Sequence, residues 1–324
     1  MHLNRRTLLA GAMAASAAPG SALGQQDWPA RTVNVAVPYT AGGTTDLFGR
    51  IFAQAMQEKY GKPFVVENRA GAGGIVGATF AAKAPPDGYT LFVGTVTTQS
   101  TAPYVYKKLP YDPDKDFQAI SLFATLPNLL VVNPKMPVKT FKEFLDYVKQ
   151  NDGKLSFGSS GHGSSNHLTA ELLTKLTGAK ITHVPYRSSG DIMNALAGGH
   201  VDLAFDNITL AWPQAQGGQV RALAVTTKDR SPTAPDVPAM DEILPGVDIV
   251  TWHGLYAPAG LPRPITDKIA ADVREIFSRE DVRKKLFEIG AVAKPMDPDA
   301  FTAFTREEAK KYEALVKQIG LELM

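Results

Sequence analysis

The sequence predicts an α/β protein of two lobes, with a cleft between two mainly parallel sheets and a helical segment at the C-terminus. Three observations carry this expectation. Strand-like and helix-like stretches alternate along most of the 324 residues, the pattern of parallel sheets with helical crossovers. One local phrase occurs twice: a short apolar strand, a loop of Gly, Ser and Thr, and an amphipathic helix that starts at once. Its copies are Val33–Val37 with the loop 38–46, and Leu155–Phe157 with the loop 158–165. Finally, Ile120–Val132 and Val220–Val225 are placed to carry the chain from one lobe to the other and back.

In order along the chain, the first copy runs from Val33–Val37 into Tyr39, Thr40, Ala41, Gly42, Gly43, Thr44 and Thr45 and then a helix through Met56. Leu47, Phe48, Ile51, Phe52, Ala55 and Met56 form its apolar stripe, and Gly61 ends it. Phe64–Val66 and Thr90–Val93 read as strands, the latter opening into Gly94-Thr95-Val96-Thr97-Thr98. The apolar run Ile120–Val132 is long for one strand and is interrupted by Pro127, so two strands are expected there. Thr140 and Glu143 have capping-box spacing at the head of the next helix. The second copy passes from Leu155–Phe157 through Gly158-Ser159-Ser160-Gly161-His162-Gly163-Ser164-Ser165 into a helix closed by Gly178. Strands are expected at Ile181–Val184, Val201–Phe205 and Val220–Val225. A proline-rich stretch and two or three helices, including Phe301–Ile319, complete the chain. The expected division is residues 25–127 and 223–324 in the first lobe and 128–222 in the second.

Residues 1–24 read as an export signal. Arg5-Arg6 precede the apolar run Leu8–Ala18, and Ala22-Leu23-Gly24 offers small residues for cleavage before Gln25. Asn4-Arg5-Arg6-Thr7-Leu8-Leu9 matches a twin-arginine signal better than a general secretory one. Arg5 and Arg6 are the only charged side chains of this segment apart from its histidine. Removing them takes Lys+Arg from 34 to 32 against 32 Asp+Glu, a formally neutral mature chain. Neither a basic run nor an aromatic-basic stripe is present, which argues against nucleic acid as a partner. Cysteine is absent, which excludes disulfides, thiolate metal sites, a Cys nucleophile and a lipid anchor on Cys. No later segment is apolar for about 18 residues, as a membrane span would need. A soluble periplasmic protein fits these features.

Each repeated loop presents backbone N–H groups at a helix N-terminus, where the helix dipole also favours negative charge. Two such loops in two lobes suggest a grip on one anion. Competing chemistries are less well supported. Gly71-Ala72-Gly73-Gly74 lacks the G-x-G-x-x-G spacing of a dinucleotide site, so no cofactor is expected. Gly158-Ser159-Ser160-Gly161 is not the G-x-S-x-G nucleophile elbow, although an exported α/β serine hydrolase acting on small esters, using Ser159 or Ser164, remains the alternative. His162 and His167 are five apart, not the three or four of paired ligands on one helix face, so no metal is expected. Asp206-Asn207 follows a strand end, where open α/β sheets border their crevice, and reads either as ligand-facing or as a helix cap. His183 and His253 read as strand or core positions.

Taken together, these residues resemble a family, the periplasmic substrate-binding proteins of tripartite tricarboxylate transporters, also called the Bug family. The matching segments are Val37-Pro38-Tyr39 with Ala41-Gly42-Gly43-Thr44-Thr45-Asp46, then Val66-Glu67-Asn68-Arg69-Ala70-Gly71-Ala72-Gly73-Gly74, then Pro86-Asp87-Gly88-Tyr89-Thr90-Leu91. Gly158-Ser159-Ser160-Gly161 with His167-Leu168, His183-Val184-Pro185-Tyr186 and Phe205-Asp206-Asn207 follow in the family's order. His162 and Ser164 stand where the family usually has Asn and Thr. The resemblance implies a type II-like periplasmic-binding-protein fold and a small carboxylate ligand, held in the first lobe by the loop Tyr39 to Thr45 through backbone groups and water. Ser159, Gly161, His162, Ser164, Ser165, Asp206 and Asn207 would supply the second lobe, and Thr95 the first. It also implies permease subunits as membrane partners of a monomeric, non-enzymatic receptor.

Overall fold

The computed structural model describes residues 28–324; the expected signal segment and the cleavage point near Gly24 lie outside the described residues. Among the described residues, ten strands form one mixed sheet. Its first half holds β1 (Val33–Val37), β2 (Phe64–Asn68) and β3 (Thr90–Thr95), with β1 central and parallel to both neighbours. Its second half holds β5 (Leu155–Ser159), β6 (Ile181–Pro185) and β7 (Leu203–Asn207), with β5 central and again parallel to both. Between them run β4 (Phe117–Val132) and β9 (Val250–Pro258), antiparallel to each other; β9 joins β3 and β4 joins β7. Thus each half is a parallel trio fastened to an antiparallel seam.

The seam corrects one expectation. Residues 117–132 are a single 16-residue strand, not two. Up to Pro127 it pairs with β9, and from Asn128 onward it pairs with β7 and with β8 (Arg221–Val225). Proline has no N–H to donate, and here that gap falls where the strand changes partners, so an extended backbone passes through it. The strand is apolar throughout because both of its faces are covered. Ile120, Phe123, Leu129 and Val131 feed one hydrophobic layer, and Leu122, Leu130 and Val132 feed the other. Both layers therefore run from one lobe into the other. The expected lobe boundary between residues 222 and 223 falls inside β8, all of which lies alongside Leu129–Val132.

Helices flank both faces. The first half carries α1 (Thr44–Tyr60), α2 (Ile75–Ala82) and α3 (Ala102–Val105); the second carries α4 (Phe141–Gln150), α5 (Ser165–Thr177), α6 (Ser189–Gly198) and α7 (Ile208–Gln216). After β9 the chain returns to the first half with α8 (Arg263–Ser278), α9 (Glu280–Glu288) and α10 (Pro298–Ile319), joined by the two-residue β10 (Val292–Ala293). Phe277 of α8 stacks on Phe123 of β4 at 4.5 Å, and Tyr312 of α10 donates to the Val250 carbonyl at 2.7 Å. Both helices are thereby held on the seam.

The two halves touch. Thr44 Oγ1 of α1 lies 2.7 Å from Thr209 Oγ1 of α7. Thr101 donates to the Gly163 carbonyl at 2.7 Å. A Cβ on Gly161 would meet Gly73 Cα at 3.1 Å, and one on Gly163 would meet Val105 Cγ2 at 2.4 Å. Gly163 also has φ of +72°, a backbone that L side chains rarely adopt. Gly163→Ala should therefore hold the lobes further apart, raising the radius of gyration in small-angle X-ray scattering, and adding Val105→Ala should reverse most of that opening. Unchanged scattering would show that this contact does not set the spacing.

Candidate functional site: the interlobe cleft

Strand direction builds the site. β1 and β3 end facing the cleft from one side, and β5, β6 and β7 from the other, so the helices that follow several of them begin there. Gly43 precedes α1, Ser164 precedes α5, Ser188 precedes α6 and Asn207 precedes α7. Ser164 and Ser188 cap their helices, accepting from the N–H of His167 and Asp191. Gly43 and Asn207 provide no side-chain cap, so the first N–H groups of α1 and α7 are left for another acceptor. Four positive dipole ends converge on one space, one from the first lobe and three from the second.

The cleft holds about 40 Å³ of free space, a narrow gap beside the roughly 300–1,000 Å³ of most small-molecule sites. Its first-lobe wall is Tyr39, Gly43, Thr44, Thr45 and Thr95, with Val96 and Thr97. Its second-lobe wall is Ser160, Ser165, Asn166, Ser188, Ser189 and Asn207, and β9 closes the floor with Thr251 and His253. Among the described residues, no Lys, Arg, Asp or Glu lines it. Its one imidazole is neutral: burial pulls His253 down to about 3, and its Nε2 lies 3.1 Å from Thr45 Oγ1. Asp46 organises the first loop from beneath. It accepts from the Gly42 N–H at 3.0 Å and from Arg50 at 2.8 Å, while Asn68 links it to the Tyr39 carbonyl. Burial opposes its ionisation, but these donors together hold its carboxyl below the usual range.

Seven of the residues singled out from the sequence thus line the cleft: Tyr39, Gly43, Thr44, Thr45, Thr95, Ser165 and Asn207. The others lie elsewhere. Thr40, Ala41 and Gly42 form the outer part of the first loop. Gly161 packs on Gly73. Ser164 is buried in its capping role and donates to the Gly161 carbonyl at 2.6 Å. His162 sits behind the loop, its ring edge against Tyr106 and 4.9 Å from His167; burial, then the neighbouring His167, lowers its pKa. Ser159 is the last residue of β5, wholly buried and hydrogen-bonded to His183. This Ser–His contact is the geometry closest to the hydrolase alternative, but Ser159 has no exposed surface, and Glu171 reaches His167 at 3.5 Å, with no bond to His183 among the described residues. Burial, then His167, takes His183 to about 4.

Asp206 stands one layer behind the wall. Its Oδ1 accepts from Ser189 at 2.8 Å and from Asn166 at 3.4 Å, while Oδ2 is buried with no partner. Burial pushes its carboxyl up to about 6 from 3.8, against the pull of Ser189, the Asn207 N–H and Asn166. The folded protein therefore binds this proton more tightly than the unfolded chain does, although the carboxylate is still ionised at neutral pH. That stability is fully present below pH 3.8 and is lost as pH rises through 6. Relative to Asp206→Asn, the wild type should gain about 2 kcal/mol of unfolding free energy between pH 7 and pH 4 in urea titrations. His183 and His253 titrate the opposite way in both proteins and cancel in the difference, so a pH-independent difference would refute the raised carboxyl.

A family model described as the tripartite tricarboxylate transporter family receptor matches residues 48–321. BugT of Bordetella pertussis is 31% identical over the whole length of both chains. A solved R. palustris protein with adipate superimposes with a TM-score of 0.90 at 36% identity, covering 92% of this chain and all of that one. MatC from Rhodopseudomonas palustris, with bound malate, superimposes at 0.85 with 37% identity, covering 89% of this chain and 99% of the other. A periplasmic-binding-protein fold with a cleft of converging helix N-termini, matched by that model over most of its length, places the chain in the tripartite tricarboxylate transporter receptor family.

Proposed function

We propose that the protein captures a small organic carboxylate between its lobes and delivers it to the permease subunits of a tripartite tricarboxylate-type membrane transporter. One observation carries this reading: four helix N-termini, two of them without side-chain caps, meet in a cleft that holds no charged side chain. Such a site solvates an anion with fixed dipoles and hydroxyls. The relatives with adipate and with malate support a carboxylate as the anion. The proposed moving units are residues 25–127 with 223–324, and residues 128–222. Closure about the seam between them buries the ligand and gives the permease a ligand-dependent shape to recognise. The receptor acts as a periplasmic monomer, without cofactor or metal, after export by the twin-arginine route and cleavage near Gly24.

Ligand must first be stripped by unfolding and refolding. A carboxylate at a hundred times its dissociation constant should then stabilise the fold by about 2.7 kcal/mol, visible as a raised Tm in a screen of di- and tricarboxylates, aromatic carboxylates and acidic amino acids. A Tm raised only by neutral sugars or cations would overturn the assignment. For export, replacing Arg5-Arg6 by Lys-Lys should leave the precursor in the cytoplasm; normal secretion of that variant would instead assign the general secretory route.

A further inference from the structure

The hydroxyls of the second-lobe wall have a fixed polarity. Ser160 donates both its N–H and its hydroxyl to Asn166 Oδ1, at 3.2 and 3.0 Å. The Asn166 amide cannot be reversed, because a backbone N–H only donates and the ionised Asp206 carboxylate on its other side only accepts. Ser189 donates to that same carboxylate at 2.8 Å. Ser188 likewise turns its proton away from the cleft, donating to Asp191 Oδ2 at 3.1 Å. Three cleft-lining serines therefore spend their protons inward and present lone pairs to the ligand. Ser165 is the opposite case: it accepts from Asn128 at 3.2 Å, and its own proton is left for the cleft.

We propose that the second lobe selects anions carrying a hydrogen-bond donor beside the carboxylate, a hydroxyl or an ammonium group, which Ser160 and Ser189 accept and which Asp206, as a positioning residue, keeps them oriented to accept. This rests on the anion-binding reading above and narrows it. A bare carboxylate oxygen set against Ser160 and Ser189 would meet lone pairs with lone pairs. The carboxylate instead belongs at the helix N-termini and Ser165, with the donor substituent turned toward Ser160 and Ser189. Asp206 acts without touching the ligand, by fixing which way two hydroxyls point.

The test is isothermal titration of the refolded mature chain with pairs that share a carbon skeleton, succinate against aspartate and glutarate against 2-hydroxyglutarate. The substituted member of at least one pair should bind about tenfold more tightly than its parent. In Asp206→Asn an amide N–H can face Ser189 and free its proton, so the ratio should fall to within about threefold. Ser189→Ala, which removes one acceptor, should lower the ratio as well. Parents that bind as tightly as their substituted partners, or a preference untouched by both variants, would overturn the donor selection while leaving the anion site in place. If none of the four acids binds although a neutral sugar does, the anion reading itself fails, and this proposal with it.

Discussion

The direction of the parallel strands is the constraint on which the rest depends. A helix N-terminus can reach the cleft only if the strand before it ends there. β1 and β3 on one side, and β5, β6 and β7 on the other, all end toward the same gap. With that fixed, the positive ends of α1, α5, α6 and α7 need no further arrangement to meet. The antiparallel seam of β4 and β9 then sets the distance between the two groups. Because β4 is one strand with continuous hydrophobic layers on both faces, the lobes cannot slide independently. The change of partners beside Pro127 is where any turn of one lobe on the other would centre.

Closure depends on close backbone approach. Gly161 against Gly73 and Gly163 against Val105 leave no room for a methyl group, so the loops that cradle the ligand also form the contact between lobes. In the proposed capture, ligand and lobe contact would form together, the coupling a receptor needs if its shape is to report occupancy. The imidazoles of His162, His167 and His183 lie behind this contact, with 4.9 Å between the first two rings and 4.2 Å between the last two. Burial favours the neutral forms of His162 and His183.

The sequence revealed what is local. The two loop–helix junctions, the Thr140 cap and the stop glycines are written in consecutive residues, and so were the fold class and the place of Tyr39, Gly43, Thr44, Thr45 and Ser165 beside the cleft. What it hid depends on strand parity and on pairing across long separations. Ser159 looked like a loop residue. β5 runs two residues further than its apolar residues show, and alternation then buries Ser159 while Ser160 faces the cleft half-buried. Thr251 and His253 reach the cleft only because β9 pairs with β3, more than 150 residues earlier in the chain, a relation with no local signature. Ser188 and Asp191 do have capping spacing and were the signal that could have placed α6 at the site. Pro127 misled because proline in an apolar run usually ends a strand, and here the tertiary hand-over removes that penalty.

A site without formal charge has a particular route to specificity. The dipoles of buried helix ends are less sensitive to ionic screening than surface ion pairs, and they attract any carboxylate much alike. Discrimination must therefore come from groups that distinguish donors from acceptors. In the second lobe these are hydroxyls, which are ambivalent until something behind them fixes the proton. Asp206 and Asp191 provide that fixing from behind the wall, and Asn166 from within it. The outline of the cleft and the identity of its lining residues can thus stay constant while the ligand changes. Altering a buried residue one layer back, with no change in the shape presented to the anion, is enough to reverse which hydrogen bonds the wall can make.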